Sequence, residues 1–95
     1  MVKTEELNEG DVLTKVALET SAHRLPYLMQ MGEREDISIF QVEGVSYAYR
    51  LAWTIEGNEM DFFLEVSRVT PGKRKNSKPN VEVAVSRQFT ERIEA

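Results

Sequence analysis

The chain has one histidine and no cysteine. His23 therefore lacks the thiolate or second imidazole with which it would share a metal, and this composition does not assemble a zinc site. Ser21 lies two residues before His23, but on a helix the two fall on different faces. No buried acid is evident to orient the imidazole, so nucleophilic catalysis has no support. The acidic pairs Glu35-Asp36 and Glu59/Asp61 read as turn residues, better explained by solvation than by general acid–base work. Gly44, Gly57 and Gly72 each punctuate a different turn, and none belongs to a phosphate-cradling loop. Tyr47, Tyr49, Trp53 and Phe62 have the makings of a base-stacking platform, yet they share one strand face that reads as core. What remains is charge: Lys73, Arg74, Lys75 and Lys78 lie between Thr70 and Asn80 with no acid among them. These residues imply no enzyme, no cofactor and no metal, and binding through loops is the expectation.

The whole chain bounds that expectation. Its 95 residues suit one domain, residues 1–95, with one sheet and one or two helices over a single core. The absence of cysteine removes disulfides as a support and gives no sign of an oxidising compartment. No apolar run is long enough to span a bilayer, and Met1 to Glu6 lacks the basic-then-apolar form of a signal peptide. The expectation is a soluble, cytoplasmic protein with no membrane partner. A net charge of −4 argues against general polyanion binding, although the basic loop stands out from an otherwise acidic body.

The elements that position these loops are organised around 45–70. From Val45 to Ile55 the odd positions read Val, Tyr, Tyr, Leu, Trp, Ile, and the even ones are small or polar. That period of two marks a strand with one buried face. A second such run starts at Met60, and Gly57-Asn58 suits a two-residue hairpin turn. The register follows: Glu56 faces Glu59, Trp53 faces Phe62, Leu51 faces Leu64, Tyr49 faces Val66, Tyr47 faces Arg68 and Arg50 faces Glu65. Large apolar groups meet, and unlike charges meet. A one-residue slip would carry Arg50 and Asp61 to the core face, so the register is well specified.

The rest of the chain supplies the cover. Residues 1–10 are polar and acidic and read as a flexible arm. A helix over 11–31, capped by Asn8 or Asp11, would place Leu18, Ala22, Leu25 and Met29 on one stripe, with Leu13, Ala17, Leu28 and Met31 beside it. Pro26 predicts a kink or a fresh turn there. The alternation of Val12, Thr14, Val16 and Leu18 also admits a strand over 12–18. Strands are predicted over 37–42, 45–56, 59–70 and 81–89, with a basic loop over 71–80 and a polar tail from Thr90. In the last strand Val81, Val83, Val85 and Phe89 would share one face. The predicted class is α+β: one N-terminal helix packed on a four-stranded antiparallel β-meander.

The order and spacing of these elements resembles a cystatin, nearest the single-domain, disulfide-free stefins. An arm, a helix, a strand and the apolar turn Val42-Glu43-Gly44 are followed by a long strand bearing Tyr47, its hairpin partner, a loop led by Pro71 and a last strand. Val42 and Gly44 match the Val-x-Gly of the family's first loop, and Pro71, with Gly72, falls where stefins place a proline in the second. The sequence departs at Phe40, which holds the motif's Gln position, in a longer and more basic second loop without the family's Trp, and at Gly10, close to the helix for the arm's glycine. The resemblance implies a cystatin-like fold and reversible inhibition of a papain-like cysteine protease by a wedge of the arm and both loops, with Val42, Glu43, Gly44, Pro71 and Gly72 as the protein-binding residues.

Two other functions fit the residues. Lys73, Arg74, Lys75 and Lys78 suit a nucleic-acid-binding module, and the acidic body suits an inhibitor or immunity-type protein that covers a basic enzyme. A small accessory domain without independent activity is the plainest alternative. Open strand edges admit a monomer or a domain-swapped or edge-paired dimer.

Overall fold

The structure, a computed structural model, describes residues 8–74 and 77–92. Its elements run α1 (Glu9–Ala22), α2 (Leu25–Gln30), β1 (Glu35–Val42), β2 (Val45–Glu56), β3 (Glu59–Thr70) and β4 (Asn80–Arg92). The four strands form one antiparallel sheet in the order β1-β2-β3-β4, and α1 covers one face of it. This is the α+β meander that the alternating pattern predicts, and among the described residues no helix is long and apolar enough to cross a membrane.

The central hairpin has the register read from its turn, from Glu56 opposite Glu59 to Tyr47 opposite Arg68. Gly57 alone takes a positive φ, +64°, as a turn with glycine first requires. Tyr47, Tyr49, Leu51, Trp53, Phe62, Leu64 and Val66 are all buried. Ile55 is exposed and Met60 half-buried because the tip of the hairpin projects past the helix.

The helical region differs from the expected 11–31 span. Asn8 Oδ1 accepts from the Asp11 amide at 2.8 Å, so α1 starts at Glu9 and takes in the last two residues assigned to the arm. Residues 1–7 of that arm lie outside the described residues. After Ala22 the chain turns and a second helix begins, with Pro26 in its first turn, where the missing N–H goes unused. The strand reading of 12–18 does not occur. The buried seam of α1 is Leu13, Ala17 and Ser21, not the stripe through Leu18 and Ala22. Small side chains at 17 and 21 let the helix backbone come close to the sheet, and this rotates the larger Leu18 to the flank.

Two strands are longer than predicted, and one is irregular. β1 begins at Glu35, so Glu35 and Asp36 are strand residues and not turn residues. Glu59 and Asp61 likewise lie in β3. β4 runs on through 90–92 because β3 offers partners down to Glu59, opposite Arg92, and Thr90 Oγ1 donates to Asp61 Oδ1 at 2.6 Å. The register shifts between Val66 and Ser67, with Val66 opposite Val85 and Ser67 opposite Val83. Ala84 is the extra residue of this β-bulge, which reverses the faces on either side of it. Val85 is buried at 8% exposure, while Val81 and Val83 stand at 63% and 55% on the other face.

Candidate functional site

In a four-stranded meander the first and third connections share one end of the sheet. Val42 pairs with Val45 across the β1–β2 turn, and Thr70 pairs with Asn80 at the base of the β3–β4 loop. With Ser46 opposite Val69, the two connections stand side by side, on the order of 10 Å apart at ordinary strand spacing. Helix α1 starts at this end too. Glu9 Oε2 accepts from Arg68 Nη2 at 2.8 Å and from the Tyr47 hydroxyl at 3.4 Å. Asp11 pairs with Arg87 at 3.1 Å. The helix then crosses the sheet obliquely, from Arg87 on β4 to Asp36 on β1.

Glu43 and Gly44 form the two-residue turn, with φ of +51° and +83°. Positive φ at both positions is what a tight primed turn demands. Glycine meets that demand freely, but glutamate costs on the order of 1 kcal/mol in the left-handed region. Glu43 is exposed, and its side chain makes none of the hydrogen bonds or ion pairs found among the described residues. Val42 and Val45 flank the turn. Together with Glu9, Val12, Leu13, Glu43 and Tyr47 they line a hollow of about 330 Å³ between the turn and the first turn of α1. Glu43→Gly is therefore expected to raise unfolding stability by about 1 kcal/mol, measured by denaturant titration. A loss of stability would show that the Glu43 side chain supports the fold.

The second loop folds back on itself. Ser77 N donates to Arg74 O at 3.0 Å, and Arg74 N donates to Ser77 Oγ at 3.0 Å. Gly72 lies against the returning limb, where an added Cβ would sit 2.8 Å from the Lys78 carbonyl oxygen. Only glycine allows that approach. Pro71, Lys73, Arg74 and Lys78 are exposed, and the three cations take part in none of the ion pairs found among the described residues. Lys75 lies outside the described residues. Comparison with protein-family models, with characterised proteins and with solved structures found no match to this chain.

The structure thus gathers Val42, Glu43, Gly44, Pro71, Gly72 and the three described cations at one end. It does not bring Ser21 to His23. His23 is exposed at the C-terminus of α1, and Ser21 donates instead to Asp36 Oδ2 at 2.7 Å. Tyr49 donates to the same oxygen at 2.6 Å, and Arg24 Nε donates to Oδ1 at 2.7 Å. Asp36 is 1% exposed, and sequence reasoning missed this buried cluster. Its one signal was period: the alternation of Asp36 with Ser38, Phe40 and Val42 places it on the covered face of β1. Among the described residues no group of three or more His, Cys, Asp or Glu stands together as a metal site.

Proposed function

We propose that the protein binds a protein partner through the loop end, and that its partner class is a papain-like cysteine protease held without chemistry. One observation carries the reading. A strained turn flanked by Val42 and Val45 and a proline-led loop project together beside the start of α1, so three separate segments are available to one cleft. Backbone held in a sparsely populated region tends to cluster at binding sites, and Glu43 is such a residue. The protease class comes from the cystatin resemblance of the Val42-Glu43-Gly44 turn and the Pro71 loop.

The test is titration of a papain-like protease with the purified protein, reading residual activity. Stoichiometric loss of activity is expected, and Gly44→Glu is expected to abolish it while the protein stays folded. Space at Gly44 is open, so that substitution meets only its φ of +83° and costs about 1 kcal/mol. Undiminished activity at excess protein, or unchanged inhibition by the variant, would remove the wedge.

Lys73, Arg74 and Lys78, which have no ion-pair partner among the described residues, favour one second reading, polyanion binding by the basic loop. Such binding would weaken steeply with salt as phosphates release their counterions. Affinity that survives neutralisation of these three cations would eliminate it.

A further inference from the structure

Helix α1 covers one face of the sheet and leaves the other open. The molecule measures 51 × 45 × 19 Å, and its thin axis is that of two layers. Five of its large apolar side chains, Ile37, Ile39, Phe63, Val81 and Val83, stand 42–74% exposed on the uncovered face. Each of these positions alternates with a residue on the covered face, so their exposure follows from strand geometry. The bulge at Ala84 contributes directly, since without it Val81 and Val83 would lie on the side of Val85.

We propose that this open face is the interface of a homodimer, in which two copies pack sheet on sheet about a twofold axis that runs along the strands between β2 and β3. The axis is picked out by complementarity across the central hairpin. It lays β2 of one copy over β3 of the other, at the same height along the strands, and β1 over β4. Arg50 and Glu65 are directly opposite within the chain, so Arg50 of each copy then faces Glu65 of its partner. By the same operation Ala52 lies over Phe63, the largest side chain of the face over one of the smallest. Ala48 lies over Ser67, and Ile39 over Val83, both strand-edge apolar groups. An axis perpendicular to the sheet normal but across the strands would instead reverse the heights and set these pairs out of step.

The area is sufficient. Four strands at about 4.8 Å spacing and eight residues at about 3.3 Å each give roughly 500 Å² of projected face per copy. Side-chain relief adds to that, and a specific interface needs on the order of 1,000 Å² in total. Aligned packing of two twisted sheets leaves their strands about 30° apart, which keeps the central rows in register and lets the corners splay.

The experiment is sedimentation equilibrium on the wild-type chain and on Arg50→Glu and Glu65→Arg, alone and mixed. The wild type is expected at twice the 10.9 kDa chain mass. Each variant alone sets like charges across the interface and should weaken association by about a hundredfold. Mixing the two variants restores unlike charges across both contacts, although within each chain residues 50 and 65 remain alike. A heterodimer from that mixture is therefore an intermolecular result and is the outcome expected. Val83→Lys, at an exposed position, repeats the disruption independently of those two charges. A wild type that is monomeric throughout, a dimer indifferent to Val83→Lys, as edge pairing would give, or a variant mixture that stays monomeric would each overturn the proposal.

Discussion

Asp36→Ala is expected to lower the unfolding free energy by about 3 kcal/mol or more. The substitution leaves the Ser21 and Tyr49 hydroxyls buried without their acceptor and releases Arg24. For a 95-residue domain, whose whole stability is on the order of 5–14 kcal/mol, this is a large fraction. The effect is also specific to place, because the Asp36 carboxylate ties the end of α1, the α1–α2 junction, β1 and β2 together at one atom group. A drop below about 1 kcal/mol in a denaturant titration would mean that water or a neighbour replaces the carboxylate, contrary to its burial.

The same carboxylate sets a pH dependence whose sign can be worked out. Burial opposes its charged form, but hydrogen bonds from Tyr49, Ser21 and Arg24 outweigh burial and hold its pKa below the ordinary 3.8. The unfolded chain then takes up the proton first as pH falls. Stability from Asp36 is complete above its unfolded value and is lost as pH falls through 3.8 toward the lower folded value. Tyr49 shifts the other way: burial, then its bond to Asp36, pushes the phenol from 10.0 up to about 12. Its contribution is complete below pH 10.0 and is lost as pH rises toward about 12. Asp36→Asn should flatten the acid limb and Tyr49→Phe the alkaline one. An acid limb unchanged in Asp36→Asn would assign it to other groups.

Period and turn chemistry made the hairpin readable, because every residue from Tyr47 to Trp53 agrees on one register. They failed where a tertiary contact decided the outcome. Asp36 looked like a solvated acid beside Glu35, and only the three donors brought from α1, the α1–α2 junction and β2 make it a core residue. The stripe on α1 was misplaced because apolar size pointed to Leu18 and Ala22, whereas close packing selected Ala17 and Ser21. The four alternating residues from Val81 to Phe89 hid a bulge, since one extra small residue, Ala84, leaves no mark on the pattern. The loop end was legible from topology alone. The left-handed Glu43 was not, because nothing in the letter Glu announces a positive φ.

Trp53→Ala is expected to cost about 4 kcal/mol, enough to leave much of the chain unfolded at moderate denaturant. Trp53 is 1% exposed, and its ring lies 6.4 Å, centroid to centroid, from that of Phe62, which in turn stacks on Phe89 at 5.1 Å. Removing it takes away the largest of the fully buried side chains and one end of the aromatic row Trp53–Phe62–Phe89. A contrast variant separates packing from hydrogen bonding. Trp53 Nε1 is buried and meets no acceptor among the described residues, so Trp53→Phe sacrifices volume but no protein hydrogen bond. It should cost about 1 kcal/mol, far less than alanine, because an unpaired buried donor is itself unfavourable. A phenylalanine variant as unstable as the alanine one would show that the indole N–H is engaged, and would place a polar partner inside the sheet–helix interface.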